Sequence, residues 1–340
     1  MREPAFWHRP RSFTSRLLRP LGALYGAVAA QRMQGKGLEA GVPVICVGNY
    51  HLGGAGKTPT VLALAQILRE LGERPVVLSR GYGGERRGPL MVDPERHSAR
   101  EVGDEPLMLA SHLPVVVARD RVDGVALAKS RLASVILMDD GFQNPALVKH
   151  AALIVIDSER GIGNGLVFPA GPLRAPVAAQ LARTDALVVI GTGTAAQAVA
   201  AAVTAAGKPV LAAHLEPDAA AVAKLKGKRV LAFAGIGDPG RFFRTLQASG
   251  IEVVQHKEFA DHHRFSAEEI AALVADAKRE GLIPVTTEKD LVRLSGDAEL
   301  AALAREILAF PVTLQFDDAP VLRTFLVDRL FKARENSLRG

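Results

Sequence analysis

A glycine-rich loop is the first part of this sequence whose residue types indicate chemistry. The segment HLGGAGKT contains three glycines followed by a lysine and a threonine. Such glycines let the backbone turn its N–H groups onto phosphate oxygens, the lysine can reach the terminal phosphates, and the threonine hydroxyl can ligate Mg²⁺. The sequence therefore predicts a nucleoside triphosphate site, and an ordinary glycine turn is the alternative. The predicted binding residues are His51, Leu52, Gly53, Gly54, Ala55, Gly56, Lys57 and Thr58.

The surroundings of this loop favour phosphate binding although its first residue is unusual. The standard eight-residue pattern begins with glycine, and here that position is His51. The loop nevertheless follows the apolar run VICVG and precedes a helix-like pattern, so it lies where a helix dipole favours an anion.

Two adjacent carboxylates follow another apolar run, VILM. In VILMDDGFQ these are Asp139 and Asp140. A buried strand would deliver them to the carboxyl edge of a sheet, where ligands bind in open α/β folds. The pair predicts a magnesium site beside the phosphate loop. Adjacent aspartates also form turns, which is the alternative.

Transfer of phosphate to a hydroxyl requires a group that orients and deprotonates the acceptor. Two segments carry candidates: GDEP, with Asp104 and Glu105, and DHH, with His262 and His263. An acidic residue that opens an apolar helix is also a common helix cap. Either histidine could equally be a solvated loop residue, so residue type and spacing leave both readings open.

Short apolar runs alternate with longer amphipathic patterns, which is typical of a doubly wound α/β sheet. The predicted buried parallel strands are residues 43–48, 74–80, 113–119, 134–140, 152–157 and 185–191. Helical patterns cover residues 58–71, 104–112, 120–131 and 195–206. A second, smaller set has strands near 229–234, 251–256, 283–286 and 310–316, with helices near 238–249, 266–280 and 319–333.

Composition limits the class of protein. A chain of 340 residues that is 48% hydrophobic can bury one large core or two smaller ones. The single cysteine, Cys46, lies in an apolar run, so disulfides and a cysteine metal cluster are not expected. A reducing cytosolic environment fits this composition.

The first 40 residues are both basic and apolar. Seven Lys or Arg against two Glu give this segment a charge of +5. It also carries aromatic and leucine side chains such as Trp7, Phe13 and Leu17, a combination that suits a helix lying on a membrane surface. Its longest uncharged run, residues 20–31, is shorter than the roughly 20 residues needed to span a bilayer. The alternative is a helix packed on the protein's own core.

The whole pattern resembles the tetraacyldisaccharide 4'-kinase family of lipid A biosynthesis. The similar blocks run in family order from about residue 43 to 293: VGNYHLGGAGKTP, LSRGYGG, VGDEPLMLA, ARDRV, DDGFQNP, GNGLVFPAGPLRAP, FAGIGDPGRFF, FADHHRF and TTEKDLVRL. The resemblance implies transfer of the ATP γ-phosphate to the 4'-hydroxyl of an acylated glucosamine disaccharide 1-phosphate. It also implies Mg²⁺, a site of action at the cytoplasmic face of the inner membrane, and no nucleic-acid partner.

The resemblance also implies roles for individual residues. The expected catalytic residues are Lys57, Asp104, Asp139, Asp140 and His262. Asp104, paired with His262, is expected to be the base that takes the proton of the acceptor hydroxyl. The expected metal ligands are Thr58, Glu105, Asp139 and Asp140. The segment SRGY (79–82) would face the sugar-phosphate end of the substrate. One departure is Ala175, since the family commonly has Glu after GPLR.

The implied architecture is a P-loop α/β/α sandwich with a second, smaller α/β/α domain and a two-stranded linker. The expected divisions are a membrane-associating segment at 1–40, a kinase domain at 41–215 and a smaller domain at 216–340, in which 309–340 can pack back on the kinase domain. The linker strands would be VLAAHLEP and VTLQFDD. Because Asp104 and His262 fall in different domains, their pairing would require the domains to close over the substrate.

Two other classes compete with the kinase. An ATPase switch or scaffold of the partitioning or metal-chaperone type shares the GGxGKT loop, but it predicts Lys at position 52, where this chain has Leu52. A membrane-bound protein that uses ATP only structurally leaves the carboxylates and histidine without a joint purpose.

Overall fold

The fold of residues 3–339 is described by a computed structural model. After a short 3-10 helix (Ala5–His8), the helices are α1 (Phe13–Met33), α2 (Lys57–Glu70), α3 (Ala99–Val102), α4 (Asp104–Ala110), α5 (Arg121–Ser130), α6 (Val177–Ala182), α7 (Gln197–Ala205), α8 (Ala219–Leu225), α9 (Pro239–Ala248), α10 (Ala267–Glu280), α11 (Glu288–Leu294), α12 (Ala298–Ala304) and α13 (Ala319–Arg339). The strands are β1 (Val44–Gly48), β2 (Pro75–Ser79), β3 (Leu90–Met91), β4 (Val115–Val117), β5 (Val135–Asp139), β6 (Ala151–Asp157), β7 (Ala186–Ile190), β8 (Val210–Pro217), β9 (Arg229–Ala234), β10 (Glu252–Glu258), β11 (Ile283–Thr286), β12 (Leu308–Ala309) and β13 (Val312–Phe316).

The strands form a large sheet of nine strands in the order β13-β8-β7-β6-β1-β5-β2-β4-β3. The seven strands from β8 to β4 run parallel, and only the edge strands β13 and β3 are antiparallel to their neighbours. The six strands predicted from apolar runs are all present here. The strand before the glycine loop, β1, lies between β5 and β6, so the loop leaves the middle of the sheet.

Helices cover both faces of the large sheet because its strands are apolar on both sides. Ile45 and Val47 of β1 pack into one core with Leu64 of α2 and Leu322 of α13. The intervening residue, Cys46, packs into the opposite core, which also contains side chains of α5 and α7. Alternate side chains of one strand thus pack against the helix layers on opposite faces of the sheet. The predicted α/β/α sandwich is confirmed.

A smaller sheet of four parallel strands, in the order β10-β9-β11-β12, forms the second layered unit. Alternate residues of β9 again divide between two cores. Val230 packs with Phe242 of α9, and Leu231 packs with Ile270 of α10. This unit therefore repeats the α/β/α arrangement on a smaller scale.

The strands predicted as the linker, β8 and β13, pair antiparallel along their length. The apolar pattern had grouped 310–316 with the smaller set, which is wrong, because β13 joins the large sheet through β8. An apolar run indicates burial but does not identify the sheet. Residues of α13 follow β13 onto the same sheet, as Leu326 and Leu330 show. The predicted domain boundaries themselves stay predictions.

The N-terminal helix α1 contacts the protein through its small residues. Ser15, Gly22 and Gly26 are buried, and a Cβ on Gly22 would lie 2.8 Å from the carbonyl oxygen of Val167. Large apolar side chains of the same helix are exposed: Phe13, Leu17, Leu21, Leu24 and Val28. Core packing, one of the two alternatives above, therefore uses the small-residue face and the buried Met33 at the end of the helix. Within the described part of the chain, no helix has the length and apolar character needed to cross a membrane.

Candidate active site

The glycine loop connects β1 to the first turn of α2. Gly53 and Gly56 have φ values of 97° and 87°, which side-chain-bearing residues rarely adopt. The buried side chain of Asn49 donates from Nδ2 to the Gly53 carbonyl oxygen at 3.0 Å and fixes the loop. Lys57 and Thr58 begin α2, and both are largely buried. The loop thus has the strand–loop–helix context that its sequence predicts for phosphate binding.

The two adjacent aspartates lie in different environments at the end of β5. Asp139 is the last residue of the strand and pairs with Val47 of β1, so it lies beside the start of the phosphate loop. Asp140 follows in a left-handed conformation with φ 47°, which turns its side chain away from the strand direction.

Asp140 is neutralised by two cations. Its carboxylate accepts hydrogen bonds from Nη1 and Nη2 of Arg174 at 2.6 and 3.1 Å, and Lys57 Nζ lies 3.8 Å from Oδ2. Burial alone would raise the pKa of Asp140, but the charges of Lys57 and Arg174 outweigh it and leave this pKa below its usual range. The Arg174 guanidinium also donates to the His51 carbonyl oxygen, which ties Asp140 to the phosphate loop. Arg174 was not among the site residues predicted from the sequence, although it is the last residue of the GPLR segment.

Asp139 differs from Asp140 in its contacts and in the direction of its pKa shift. Only 2% of the residue is exposed, Ser79 donates to Oδ2 at 3.3 Å, and Oδ1 is buried without a hydrogen-bond partner among the described residues. Burial, followed by the negative charges of Glu105 and Asp140, raises the pKa of Asp139 from 3.8 to about 7. The charges of Lys57 and Arg121 lower this pKa but do not outweigh the opposing effects, and the carboxylate forms no ion pair with another described residue.

The four expected metal ligands do not form one cluster. Among residues 3–339, no group of three or more His, Cys, Asp or Glu side chains is arranged to hold a metal ion. Glu105 instead forms an ion pair with Lys289, whose Nζ lies 3.0 Å from Oε1. Burial opposes ionisation of Glu105, but the charges of Lys289 and Lys57 leave its pKa below the usual value. Glu105 and Asp140 thus form ion pairs with basic side chains. Asp139 is the one carboxylate among the expected ligands that remains available to a metal ion.

The structure brings His262, and not His263, to Asp104. His262 Nδ1 lies 2.9 Å from Asp104 Oδ2, whereas His263 contacts Glu269 and stacks on Phe259. Asp104 is the first residue of α4, after the N-cap Gly103, and its Oδ1 accepts the N–H of Glu105. The alternative that Asp104 is the helix cap is therefore wrong, and the pairing with His262 is present. The contact joins the two layered units, because Asp104 lies in the larger one and His262 in the smaller one. The predicted need for closure over the substrate stays a prediction.

Two cations of α11 surround Asp104, and residue type alone had not indicated them. Arg293 donates from Nε to Asp104 Oδ2 at 2.8 Å, and Lys289 Nζ lies 3.9 Å from the same oxygen. Burial would raise the pKa of Asp104, but hydrogen bonding to His262 and the charges of Lys289 and Arg293 outweigh it and hold the pKa well below its usual range. Both cations lie in the TTEKDLVRL block, and its basic residues were the only available signal.

The unusual first residue of the phosphate loop, His51, is fully buried. Burial, together with the charges of Arg160 and Lys57, lowers its pKa to about 3, so the ring is neutral. Arg160 follows β6 and pairs with Glu3, whose carboxylate lies against Gly53 of the loop. The N-terminal segment thus contacts the phosphate loop directly.

The remaining predicted positions border this site. Ser79 contacts Asp139 as described, and the exposed Tyr82 packs edge-on against the His262 ring with centroids 5.5 Å apart. Ala175 is fully buried, and its carbonyl oxygen accepts a hydrogen bond from Gln180. The position where the family commonly has Glu therefore presents no carboxylate.

A glycine loop between a central strand and a helix, a buried aspartate on the neighbouring strand and an Asp–His pair define a P-loop phosphotransferase. Comparison with known proteins identifies the family. The model of tetraacyldisaccharide-1-P 4'-kinase, LpxK, matches residues 14–331, and the chain belongs to this family. This is the family whose resemblance predicted the pairing of Asp104 with His262.

Relatives match over nearly the whole chain. The tetraacyldisaccharide 4'-kinase of Bradyrhizobium diazoefficiens is 69% identical over 335 residues, 98% of each chain. That of Rhodopseudomonas palustris strain HaA2 is 63% identical over 340 residues, 100% of each chain. A crystal structure of LpxK from Aquifex aeolicus in complex with ATP superimposes with a TM-score of 0.70 at 28% identity, covering 93% of this chain and 99% of that one. Family membership decides between the kinase and the ATPase switch in favour of the kinase.

Proposed function

We propose that this chain transfers the γ-phosphate of ATP to the 4'-hydroxyl of a tetraacyl glucosamine disaccharide 1-phosphate, giving lipid IVA at the cytoplasmic face of the inner membrane. Family membership supports the reaction. The observation that carries it in this chain is the Asp104–His262 contact, which brings a proton acceptor from the smaller unit towards the phosphate loop. The loop lies close enough that the Lys57 charge lowers the pKa of Glu105, the neighbour of Asp104.

The nucleotide phosphates bind in the loop from His51 to Thr58. Its backbone N–H groups and the N-terminus of α2 hold the phosphate oxygens. The Lys57 ammonium, now 3.8 Å from Asp140 Oδ2, turns to the terminal phosphate when the nucleotide binds. Arg174 then keeps Asp140 neutralised, because it binds that carboxylate through two hydrogen bonds.

Mg²⁺ fits the site through Asp139 and Thr58. The unpartnered Oδ1 of Asp139 and its raised pKa indicate a carboxylate that a divalent cation would stabilise. Magnesium sites in kinases commonly use one or two protein oxygens together with substrate phosphates, so a larger cluster is not needed. When bound, the ion neutralises charge that develops on the transferred phosphate. Asp140 and Glu105, also expected as ligands, are excluded from this proposal because cations already neutralise them.

His262 is the more suitable proton acceptor of the pair. Because Asp104 is held ionised, its carboxylate can only accept, and the hydrogen bond between them requires the proton to be on His262 Nδ1. With that proton on Nδ1, the lone pair that can accept a proton is on Nε2, which lies 3.8 Å from Asp261 Oδ2 and makes no hydrogen bond to another described residue. Asp104 orients the ring through its hydrogen bond to Nδ1. This division reverses the prediction that Asp104 itself takes the proton.

The exposed apolar face of α1 supports contact with a membrane surface. Leu17 and Leu24 are 68% and 67% exposed, and Arg16 and Arg19 flank them in the same helix. Apolar side chains of this size gain free energy by entering the acyl boundary while nearby arginines attract anionic headgroups. The lipid substrate would be taken from that surface.

An assay with purified protein, ATP, Mg²⁺ and the acylated disaccharide 1-phosphate tests this function. A kinase forms 4'-phosphorylated lipid and consumes ATP mainly when the lipid is present. An ATPase switch would hydrolyse ATP at the same rate without lipid and form no phosphorylated product. The second outcome would overturn the proposal.

A further inference from the structure

Arg293 is a buried residue of the smaller unit that contacts Asp104 of the Asp–His pair and the carbonyl oxygen of Gly235. Only 7% of its side chain is exposed. Its Nε and Nη2 donate to Asp104 Oδ2, while Nη1 donates to the carbonyl oxygen of Gly235 at 2.7 Å and to Asp290. One guanidinium therefore spans from the larger unit to the loop after β9.

The two groups that Arg293 holds are the same two that fix His262. Asp104 Oδ2 binds the ring at Nδ1, and the Gly235 carbonyl oxygen accepts the backbone N–H of His262 at 3.1 Å. His262 has φ 57°, an uncommon conformation for a residue with a side chain, and it needs surrounding contacts to persist. Ring and backbone of His262 are thus both anchored on atoms that bind Arg293.

Asp290 in turn fixes the orientation of the Arg293 guanidinium. It is fully buried, accepts the N–H of Gly235 with both carboxylate oxygens at 3.1 Å, and accepts the Thr287 hydroxyl at 2.7 Å. A planar guanidinium can serve Asp104, Gly235 and Asp290 at once, whereas an ammonium has no such fixed fork. The site therefore uses the shape of arginine as well as its charge.

We propose that Arg293 is a positioning residue for phosphoryl transfer, acting through Asp104 and Gly235 to hold His262 in its reactive orientation. The inference rests on the proposed role of His262 as proton acceptor. Arg293 itself touches neither nucleotide nor lipid in this role. Its replacement should reduce turnover while leaving nucleotide binding at the phosphate loop nearly intact.

The first experiment compares Arg293→Gln, Arg293→Lys and a control, Arg305→Gln, which changes an exposed arginine at the end of α12. Arg293→Gln should lower kcat about 10²-fold, because misplacement of a catalytic group by about 1 Å can cost that much, with KM for ATP within about twofold of wild type. Arg293→Lys should recover part of the loss, and Arg305→Gln should match wild type. A kcat equal to wild type for Arg293→Gln would overturn the inference.

The second experiment separates positioning from a merely structural role. In a His262→Ala background, Arg293→Gln should lower kcat by no more than about twofold further, since the residue through which it acts is already gone. Losses that multiply fully would overturn the inference. Arg293→Lys in the same background gives this test independently of whether the glutamine variant folds, as judged by its melting temperature. Absence of lipid phosphorylation by the wild type would instead contradict the proposed function.

Discussion

Replacement of Asp139 by Asn should stabilise the metal-free protein at alkaline pH while impairing the enzyme. In the folded protein the pKa of Asp139 is raised from 3.8 to about 7 by burial and by the charges of Glu105 and Asp140. One pKa unit corresponds to about 1.4 kcal/mol, so ionisation of this buried group costs up to roughly 4 kcal/mol of folding free energy. Asparagine has the same shape and carries no charge.

The direction in which stability changes with pH follows from proton binding. Between pH 3.8 and 7 the folded protein holds the Asp139 proton more tightly than the unfolded chain, so stability falls as the pH rises through this window. The stability that the protonated Asp139 side chain contributes is fully present below pH 3.8 and is lost by about pH 7. The free energy of unfolding of Asp139→Asn should therefore exceed that of wild type by up to roughly 4 kcal/mol at pH 8, and the difference should vanish near pH 4.

The assay is urea denaturation followed by circular dichroism at several pH values, with EDTA present. Asp140→Asn is the matched control, because the neighbouring carboxylate is stabilised by Lys57 and Arg174 and its loss should destabilise the protein at pH 8. In a second series with Mg²⁺ in place of EDTA, wild type at pH 8 should be stabilised more than Asp139→Asn. Equal destabilisation by the two substitutions would refute the assignment of Asp139 as the unpaired carboxylate.

Three further sets of substitutions test other parts of the protein. Lys57→Ala should lower kcat about 10²- to 10³-fold in the lipid kinase assay, as for loss of one preorganised donor, and near-normal turnover would show that the loop is not catalytic. Leu17→Ser combined with Leu24→Ser should weaken cosedimentation with anionic vesicles about 10²- to 10⁴-fold, because each buried leucine contributes about 1.5 to 3 kcal/mol; unchanged sedimentation would place the membrane contact elsewhere. Asp104→Ala and His262→Ala should each lower kcat about 10²- to 10⁴-fold, and the double variant should be little worse than the poorer single one, whereas multiplicative losses would show independent roles.

The sheet and the phosphate loop could be predicted from the sequence because their signals are local. Continuous apolar runs mark strands buried on both faces, and GGAGKT after such a run marks the loop. The order of strands was not predictable in the same way. Membership of β13 in the large sheet depends on its pairing with β8, about 100 residues earlier, and a short apolar run contains no information on its partner.

The difference between Asp139 and Asp140 could not be read from the sequence either. The two residues are adjacent and of one type, yet the end of β5 buries the first and a left-handed backbone turns the second to Arg174. Charge neutralisation by a residue 34 positions away then decides which carboxylate lacks a partner. Residue type therefore predicted the pair, and only tertiary contacts separated their roles.

The Asp104–His262 pair came from family resemblance, and its physical basis lies in contacts between the two units. Asp104 belongs to the larger unit, while His262 and Arg293 belong to the smaller one, so the proton acceptor is complete only when α11 packs against α4. Under the proposed function, a base assembled in this way would link catalysis to the approach of two domains, which would also limit access of water to a bound phosphate. The left-handed backbone of His262 is consistent with such a site, since a strained residue persists where neighbouring contacts hold it. Asp104 and the Gly235 carbonyl oxygen make those contacts, and Arg293 binds both of them. Loss of Arg293 should therefore affect turnover before it affects nucleotide binding.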